Sequence, residues 1–202
     1  MGFDKLAAPL AGLAVLRRTL AAFLAVDAIT EIIVVGPAER WKLLGGINFS
    51  KPVHRVDGGL TRQDSVAAGL AEVSGTYVAV HDGARPLIAP AEILRCVEAA
   101  IHHSAVALAR RVTETLKRSD AEDYGVASIS REHLWLMETP QVFKTMLLRE
   151  AYTKLTTARM MVTDEVTALE TLGMKVKFIE SHYPNIKITT PADLALAEAY
   201  LA

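Results

Sequence analysis

The chain has 202 residues, 51% of them hydrophobic and 22% charged, with a formal net charge of -1. That length and apolar content suffice for one domain with a proper core and exclude disorder, and the near-neutral balance gives no reason to expect nucleic acid or an acidic membrane surface as partner. The single cysteine, Cys96, excludes an internal disulfide and makes a reducing, cytoplasmic compartment the expectation.

Asp4 and Lys5 interrupt the apolar opening, which lacks the pattern of a secretory signal. Leu13, Leu16, Leu20, Phe23 and Leu24 recur at helical spacing and predict an amphipathic first helix. Arg17 and Arg18 within it rule out a membrane span of about twenty residues. The β-branched run EIIVVG, closed by Gly36 and Pro37, predicts a buried parallel strand. A helix around Ala38 to Leu44 follows, then KPVHRVDGG as a second strand. TRQDSVAAGLAEV reads as a helix capped by Thr61, with Asp64 completing a box. TYVAVHD is a third strand, a helix runs from about Ala91 to His102, and AVALAR is a fourth strand.

From about Val112 to Trp135 the rhythm breaks into polar sequence with turn signals at Ser119–Asp120 and Gly125, which predicts an extended hairpin or arm. Helices are expected at about Thr145 to Thr156 and Asp164 to Leu172, strands at MKVKFIE and NIKIT, and a closing helix at PADLALAEAYLA with Thr190 as cap and Asp193 completing a box. Alternating strands and helices imply an α/β fold with a doubly wound, mostly parallel, Rossmann-like sheet and a protruding β-arm. Such folds normally open with a central strand and a phosphate-binding loop. Here MGFDKLAAPLAG is loop-like and leads straight into the first helix, so the first strand and Gly-rich loop are expected to be missing.

Ligands of open α/β sheets gather at the carboxyl ends of strands. Three polar clusters fall there: DGGLTRQDS, HDGARP and NIKIT. Gly58 and Gly59 allow close backbone approach, and the helix start after them offers free N–H groups. Asp82 is a hard oxygen donor suited to Mg²⁺, Arg85 can meet a phosphate in a bidentate manner, and Lys187 supplies a point charge. Taken singly, each has a bland reading as a turn, a local ion pair or a solvated lysine; their joint placement favours a phosphate and metal site. His81 reads as a hydrogen-bonded structural group; Asp164–Glu165 offer a metal pair, but their place after Thr163 favours a helix N-terminus over that reading. Adjacent His102 and His103 cannot share one helical face as zinc ligands would. Tyr124 and Trp135 read as interface packing on the arm.

Together, GGLTRQDSVAAGL, VHDGARPL, ETPQVFK, TDEVTALE and NIKITTPADLALAE resemble the 2-C-methyl-D-erythritol 4-phosphate cytidylyltransferase family of the non-mevalonate isoprenoid pathway, in order and over essentially the whole chain. The related ribitol-5-phosphate cytidylyltransferases share much of this pattern. The resemblance implies a single nucleotidyltransferase domain over residues 1–202 that moves a cytidylyl group from CTP to a sugar-alcohol phosphate with Mg²⁺ as cofactor. It implies Lys5, Lys187 and Asp82 as catalytic residues, Asp82 holding the metal. Gly59 and Ser65 would hold the cytosine and ribose, Gly83 would lie near the nucleotide, and Arg85 would be a conformationally important cation beside the metal. Thr115, Arg131, Thr139, Thr163 and Lys187 match positions that contact the acceptor. Residues 112–135 match an arm that crosses into a partner subunit, which implies a homodimer. The family's Gly-rich loop and its catalytic arginine find no counterpart in this sequence, so a non-catalytic nucleotide-binding dimer is the alternative expectation.

Overall fold

Leu16, Leu20 and Phe23 turn one apolar stripe inward and form helix α1 (Val15–Leu24) around it. The computed structural model describes residues 4–45, 47 and 49–202; the first three residues of the opening lie outside the described residues. Leu13 does not belong to the helix. It sits in a tight hairpin of β1 (Pro9–Leu10) and β2 (Leu13–Ala14), turned by Ala11 and Gly12 with φ of 44° and 79°. A two-residue turn with both φ positive follows the twist of its strands. Arg18 fastens it to α1, its Nε donating to the Leu10 carbonyl at 2.6 Å.

The β-branched run forms β3 (Ile32–Val35), and α2 (Ala38–Lys42) leads to β4 (Val53–Val56), parallel to β3. Helix α3 (Arg62–Glu72) begins with the expected box: Asp64 N–H donates to Thr61 Oγ1 and Thr61 N–H to Asp64 Oδ2, both at 3.0 Å. Then come β5 (Tyr77–Val80), α4 (Pro90–His103) and β6 (Ala105–Arg111). The broken-rhythm segment is an antiparallel hairpin of β7 (Leu116–Ser119) and β8 (Gly125–Ile129). The chain returns through β9 (Trp135–Lys144), α5 (Thr145–Ala158), α6 (Glu165–Glu170), β10 (Lys177–Glu180) and α7 (Pro191–Leu201). No helix among the described residues is long and apolar enough to cross a membrane.

The α/β class holds, with two corrections. The four-stranded sheet runs β10-β6-β9-β5 and is mixed: β10 is parallel to β6, while β9 is antiparallel to both β6 and β5. Sequence reading passed over β9 because Pro140 and the polar residues Glu138, Thr139 and Gln141 conceal it, although Glu138 to Phe143 are all buried. NIKIT is not a strand but an extended segment laid against the turn after β5. It is held there by Ile188 N–H donating to the Ala84 carbonyl at 2.8 Å, with no continuous ladder.

Apolar side chains cover both faces of this sheet. Val106, Leu108 and Val142 pack with Phe23 of α1 and with Ile93, Cys96 and Ala100 of α4. Ala105 and Phe143 pack with Leu70 of α3, Leu148, Ala151 and Leu155 of α5, and Ala168 and Leu169 of α6. Between β3 and β5 lies a cavity of about 380 Å³, lined by all four residues of each strand and by Leu16, Leu20 and Val66. Among the described residues, no strand bridges the two. Glu31 ties their starts instead, its Oε1 accepting from the N–H groups of Ser74 at 2.7 Å and Gly75 at 3.1 Å.

Candidate active site

Strand β5 delivers His81 and Asp82 into a turn closed by Arg85 N–H donating to the Asp82 carbonyl at 3.0 Å. Three cations surround the Asp82 carboxylate: Lys187 Nζ at 2.9 Å, and Arg62 Nε and Arg85 Nε each at 3.6 Å. Burial works to raise the Asp82 carboxyl, but the Lys187 hydrogen bond and the neighbouring cations outweigh it and hold the group below the usual carboxylate range. Arg85 is largely enclosed, with one guanidinium N–H donating to the Asn185 carbonyl at 2.7 Å. Its side chain thus lies between the Asp82 carboxylate and the Asn185 backbone. Arg85 Nε and Asn185 Oδ1 are buried without a hydrogen-bond partner among the described residues.

Behind Asp82 runs a short relay. Asp82 N–H donates to Thr139 Oγ1 at 3.1 Å, and Thr139 Oγ1 lies 3.0 Å from His81 Nδ1. The other ring nitrogen faces the Arg85 carbonyl at 3.4 Å, which can only accept. These partners select the neutral ring with its proton on Nε2, leaving Nδ1 to accept from the threonine hydroxyl. Burial agrees, pushing the His81 imidazole down to about 4. Thr139, expected on the acceptor, is itself buried and spends its hydroxyl on this relay.

The segment carrying Lys187 is anchored from β9. Asn185 Nδ2 donates to Glu138 Oε2 at 3.0 Å and to the Thr139 carbonyl at 2.8 Å. Burial raises the Glu138 carboxyl, with the Asn185 hydrogen bond partly offsetting it. At the start of α3, Gly59 N–H donates to Ser65 Oγ at 3.1 Å, and Ser65 donates to the Thr61 carbonyl at 2.9 Å. A Cβ on Gly59 would fall 2.2 Å from Asp64 Cβ, so only glycine fits this fold of the loop. Gly83 admits α1, since a Cβ there would lie 3.1 Å from Leu16 Cδ1. Ser65, Arg62, Asp82 and Gly83 all line one end of the cavity between β3 and β5, as does Leu6, next to Lys5.

Thr163 is exposed just before Asp164, the N-cap of α6, whose Oδ1 accepts from Thr167 N–H at 3.0 Å. Gln141 of β9 grips this start, donating to Asp164 Oδ2 at 3.1 Å and accepting from Val166 N–H at 3.2 Å. Thr115 and Arg131 lie apart on the exposed arm, where Arg131 donates to the Thr113 carbonyl. Trp135 packs within its own chain, its ring 4.3 Å from the Arg111 guanidinium carbon and 5.9 Å from Phe178. Tyr124 and Val126 remain exposed at 72% and 58%.

Sequence reading missed Arg62 and Glu165 as a pair. The Arg62 guanidinium donates twice to the Glu165 carboxylate, at 2.7 and 2.8 Å, and Tyr152 donates a third bond at 3.0 Å. Arg62 stands inside the quoted motif GGLTRQDS; from sequence Glu165 reads as part of a helix start, with a metal pair beside Asp164 as the lesser reading.

No group of three or more His, Cys, Asp or Glu side chains forms a metal cluster among the described residues. A cation held here would rest on Asp82 and on phosphate oxygens, the donor set that Mg²⁺ takes. One carboxylate, its attendant cations and a glycine loop at a helix start, all on an α/β scaffold, suit a protein that binds the phosphates of a nucleotide.

The family model for IspD, 2-C-methyl-D-erythritol 4-phosphate cytidylyltransferase, matches residues 1–202. A 2-C-methyl-D-erythritol 4-phosphate cytidylyltransferase from Prochlorococcus marinus is 39% identical over all of this chain and 92% of its own length. One from Pelotomaculum thermopropionicum is 39% identical over 95% of this chain and 84% of its own. The crystal structure of the Thermus thermophilus enzyme superposes with a TM-score of 0.84 at 33% identity, covering 98% of this chain and 93% of that one. The chain belongs to the 2-C-methyl-D-erythritol 4-phosphate cytidylyltransferase family.

Proposed function

We propose that this chain joins the cytidylyl group of CTP to 2-C-methyl-D-erythritol 4-phosphate, giving 4-diphosphocytidyl-2-C-methyl-D-erythritol and pyrophosphate, with Asp82 and Lys187 at the centre of the transfer. The observation that carries the assignment is the 2.9 Å contact of Lys187 Nζ with Asp82, arriving from two distant parts of the chain. A phosphate oxygen of the acceptor attacks the α-phosphorus of CTP; one P–O bond forms while the bond to the β-phosphate bridge breaks and pyrophosphate leaves. The attacking oxygen is already anionic, so no general base is needed. What the protein must supply is alignment and positive charge where negative charge gathers.

Mg²⁺, when bound, would neutralise triphosphate oxygens beside Asp82. Lys187, which contacts Asp82 at 2.9 Å, would exchange that partner for a phosphoryl oxygen, with Lys5 as a second cation on the α-phosphoryl group. Gly59 and Ser65 present the loop that takes the cytosine and ribose, with Gly83 lining the nucleotide's path. Arg85 braces Asp82. Thr163, exposed beside the start of α6, is assigned to the acceptor, and Thr139 supports the site from behind by accepting from Asp82 N–H.

Thr115 and Arg131 lie on the arm, and we assign them to the acceptor of a partner subunit in a homodimer. The exposed Tyr124 and Val126 on that arm support the pairing, because apolar side chains presented together favour burial against another surface. Residues 1–202 form the single catalytic domain in this reading, with 112–135 as the dimerisation arm. The lone, buried Cys96 agrees with a cytoplasmic setting. Pyrophosphate release from CTP, measured separately with 2-C-methyl-D-erythritol 4-phosphate and with ribitol 5-phosphate as acceptor, tests the reading. The first is expected to dominate, and loss of turnover in Asp82→Asn is expected with it. Equal turnover of both acceptors, or an active Asp82→Asn, would refute it.

A further inference from the structure

We propose that Arg62 is a positioning residue that locks the nucleotide loop and the acceptor side into one geometry around Asp82, an inference that rests on the cytidylyl-transfer reading. Arg62 is the first residue of α3, directly after the Gly58–Thr61 turn. Arg62 joins three elements, two through its guanidinium and one through its backbone. Two N–H groups grip Glu165 at 2.7 and 2.8 Å, Nε faces Asp82 Oδ1 at 3.6 Å, and its backbone starts the helix that presents Ser65. Glu165 is fully buried and stands two residues beyond Thr163, with Tyr152 Oη filling its remaining side at 3.0 Å.

A planar fork on a buried carboxylate fixes both partners in distance and in plane. Such a pair is a weak source of stability, because desolvating two charges offsets most of their attraction. Its geometry is the more informative property. The fork holds Glu165 of α6, two residues beyond Thr163; Nε adds charge beside Asp82, and the Arg62 backbone opens the helix that follows the glycine loop. Movement of Arg62 therefore displaces the nucleotide side and the acceptor side together. A residue touching only one substrate would change only that substrate's affinity.

The test uses the full chain in two variants. Arg62→Lys keeps the charge and loses the fork; Arg62→Gln combined with Glu165→Gln removes both charges, so that no orphaned buried carboxylate limits folding. Tyr152→Phe, which removes only the outer donor to Glu165, serves as the comparison. Thermal melting establishes the fold, calorimetry reads CTP affinity, and steady-state kinetics give kcat and both KM values. The expected result is a rise of about tenfold in KM for CTP and for the acceptor together in both Arg62 variants, with less than a twofold change in Tyr152→Phe. Folded variants with both KM values within twofold of wild type overturn the proposal, as does a rise confined to one substrate. Failure of both variants to fold would make the triad a stability element and overturn it as well. A wild-type chain that releases no pyrophosphate with CTP and acceptor defeats the underlying reading; wild-type turnover with unmoved KM values defeats this inference alone.

Discussion

Lys187→Ala separates the chemistry of the site from its architecture. The ammonium lies 2.9 Å from Asp82 and its side chain is 39% exposed, so the pair sits at a partly solvated rim. Exposed and half-exposed pairs contribute at most about 1 kcal/mol. Asp82 also keeps two guanidinium groups at 3.6 Å after the change, so no carboxylate is left alone. A loss of about 1 kcal/mol in a chain of this size lowers Tm by roughly 2–4 °C. The cost to turnover is much larger. A positive group aimed at charge that develops in the transition state is worth about 2.7–4 kcal/mol, or roughly 100- to 1,000-fold in kcat. Pyrophosphate release at saturating CTP and acceptor, measured beside a thermal melt, reads both numbers. Turnover within fivefold of wild type in a folded Lys187→Ala would refute the assignment. A fall in Tm of more than about 10 °C, well beyond the expected range, would show that the lysine holds the fold.

His81 makes the fold sensitive to acid: its imidazole, held down to about 4 by burial, stays neutral in the folded chain, whereas the unfolded chain takes up a proton near 6.5. The stability it contributes is complete above 6.5 and is lost as the pH falls toward 4, amounting to about 2 kcal/mol at pH 5. Denaturant titrations of wild type and His81→Gln at pH 7 and pH 5 check this, and parallel pH dependences in the two proteins would contradict it. Gly59→Ala forces a Cβ to within 2.2 Å of Asp64 Cβ and must displace the loop, so CTP affinity measured by calorimetry is expected to fall about tenfold or more; unchanged affinity would show that the loop does not hold the nucleotide. Tyr124→Asp with Val126→Asp places charge on the exposed face of the arm, and light scattering is expected to show a halved mass together with lost turnover. A protein that is monomeric before the change would refute the role of the arm.

The parts of the site that were legible in sequence are those encoded locally. A β-branched run breaking into HDGARP marks where a strand ends and a carboxylate emerges, and Thr61 and Asp64 announce a helix start because capping needs only four consecutive residues. The arm was legible for the same reason, as polar sequence with turn residues interrupting the alternation. What escaped depends on partners distant in the chain. Arg62 and Glu165 are 103 positions apart, and no spacing rule links them. Strand β9 was concealed by Pro140, whose missing donor argues against a central strand on local grounds alone. NIKIT alternates as a strand should, yet its neighbour is a turn, so it has no ladder to join. Trp135 illustrates the converse: an aromatic side chain suited to an interface finds Phe178 and Arg111 of its own chain.

The gap between β3 and β5 is spanned by helices and side chains rather than by a strand among the described residues. The glycine loop beyond β4 and the carboxylate beyond β5 are therefore linked through the packing of α1 and α3 and through side-chain hydrogen bonds. Glu31 closes the foot of the seam against Ser74 and Gly75, Arg149 of α5 reaches the Leu70 and Val73 carbonyls at 3.0 and 2.7 Å, and Arg62 closes the head. Of these three contacts Arg62 alone also reaches the Asp82 carboxylate, so the tie at the head of the seam and the charge at the site belong to one side chain.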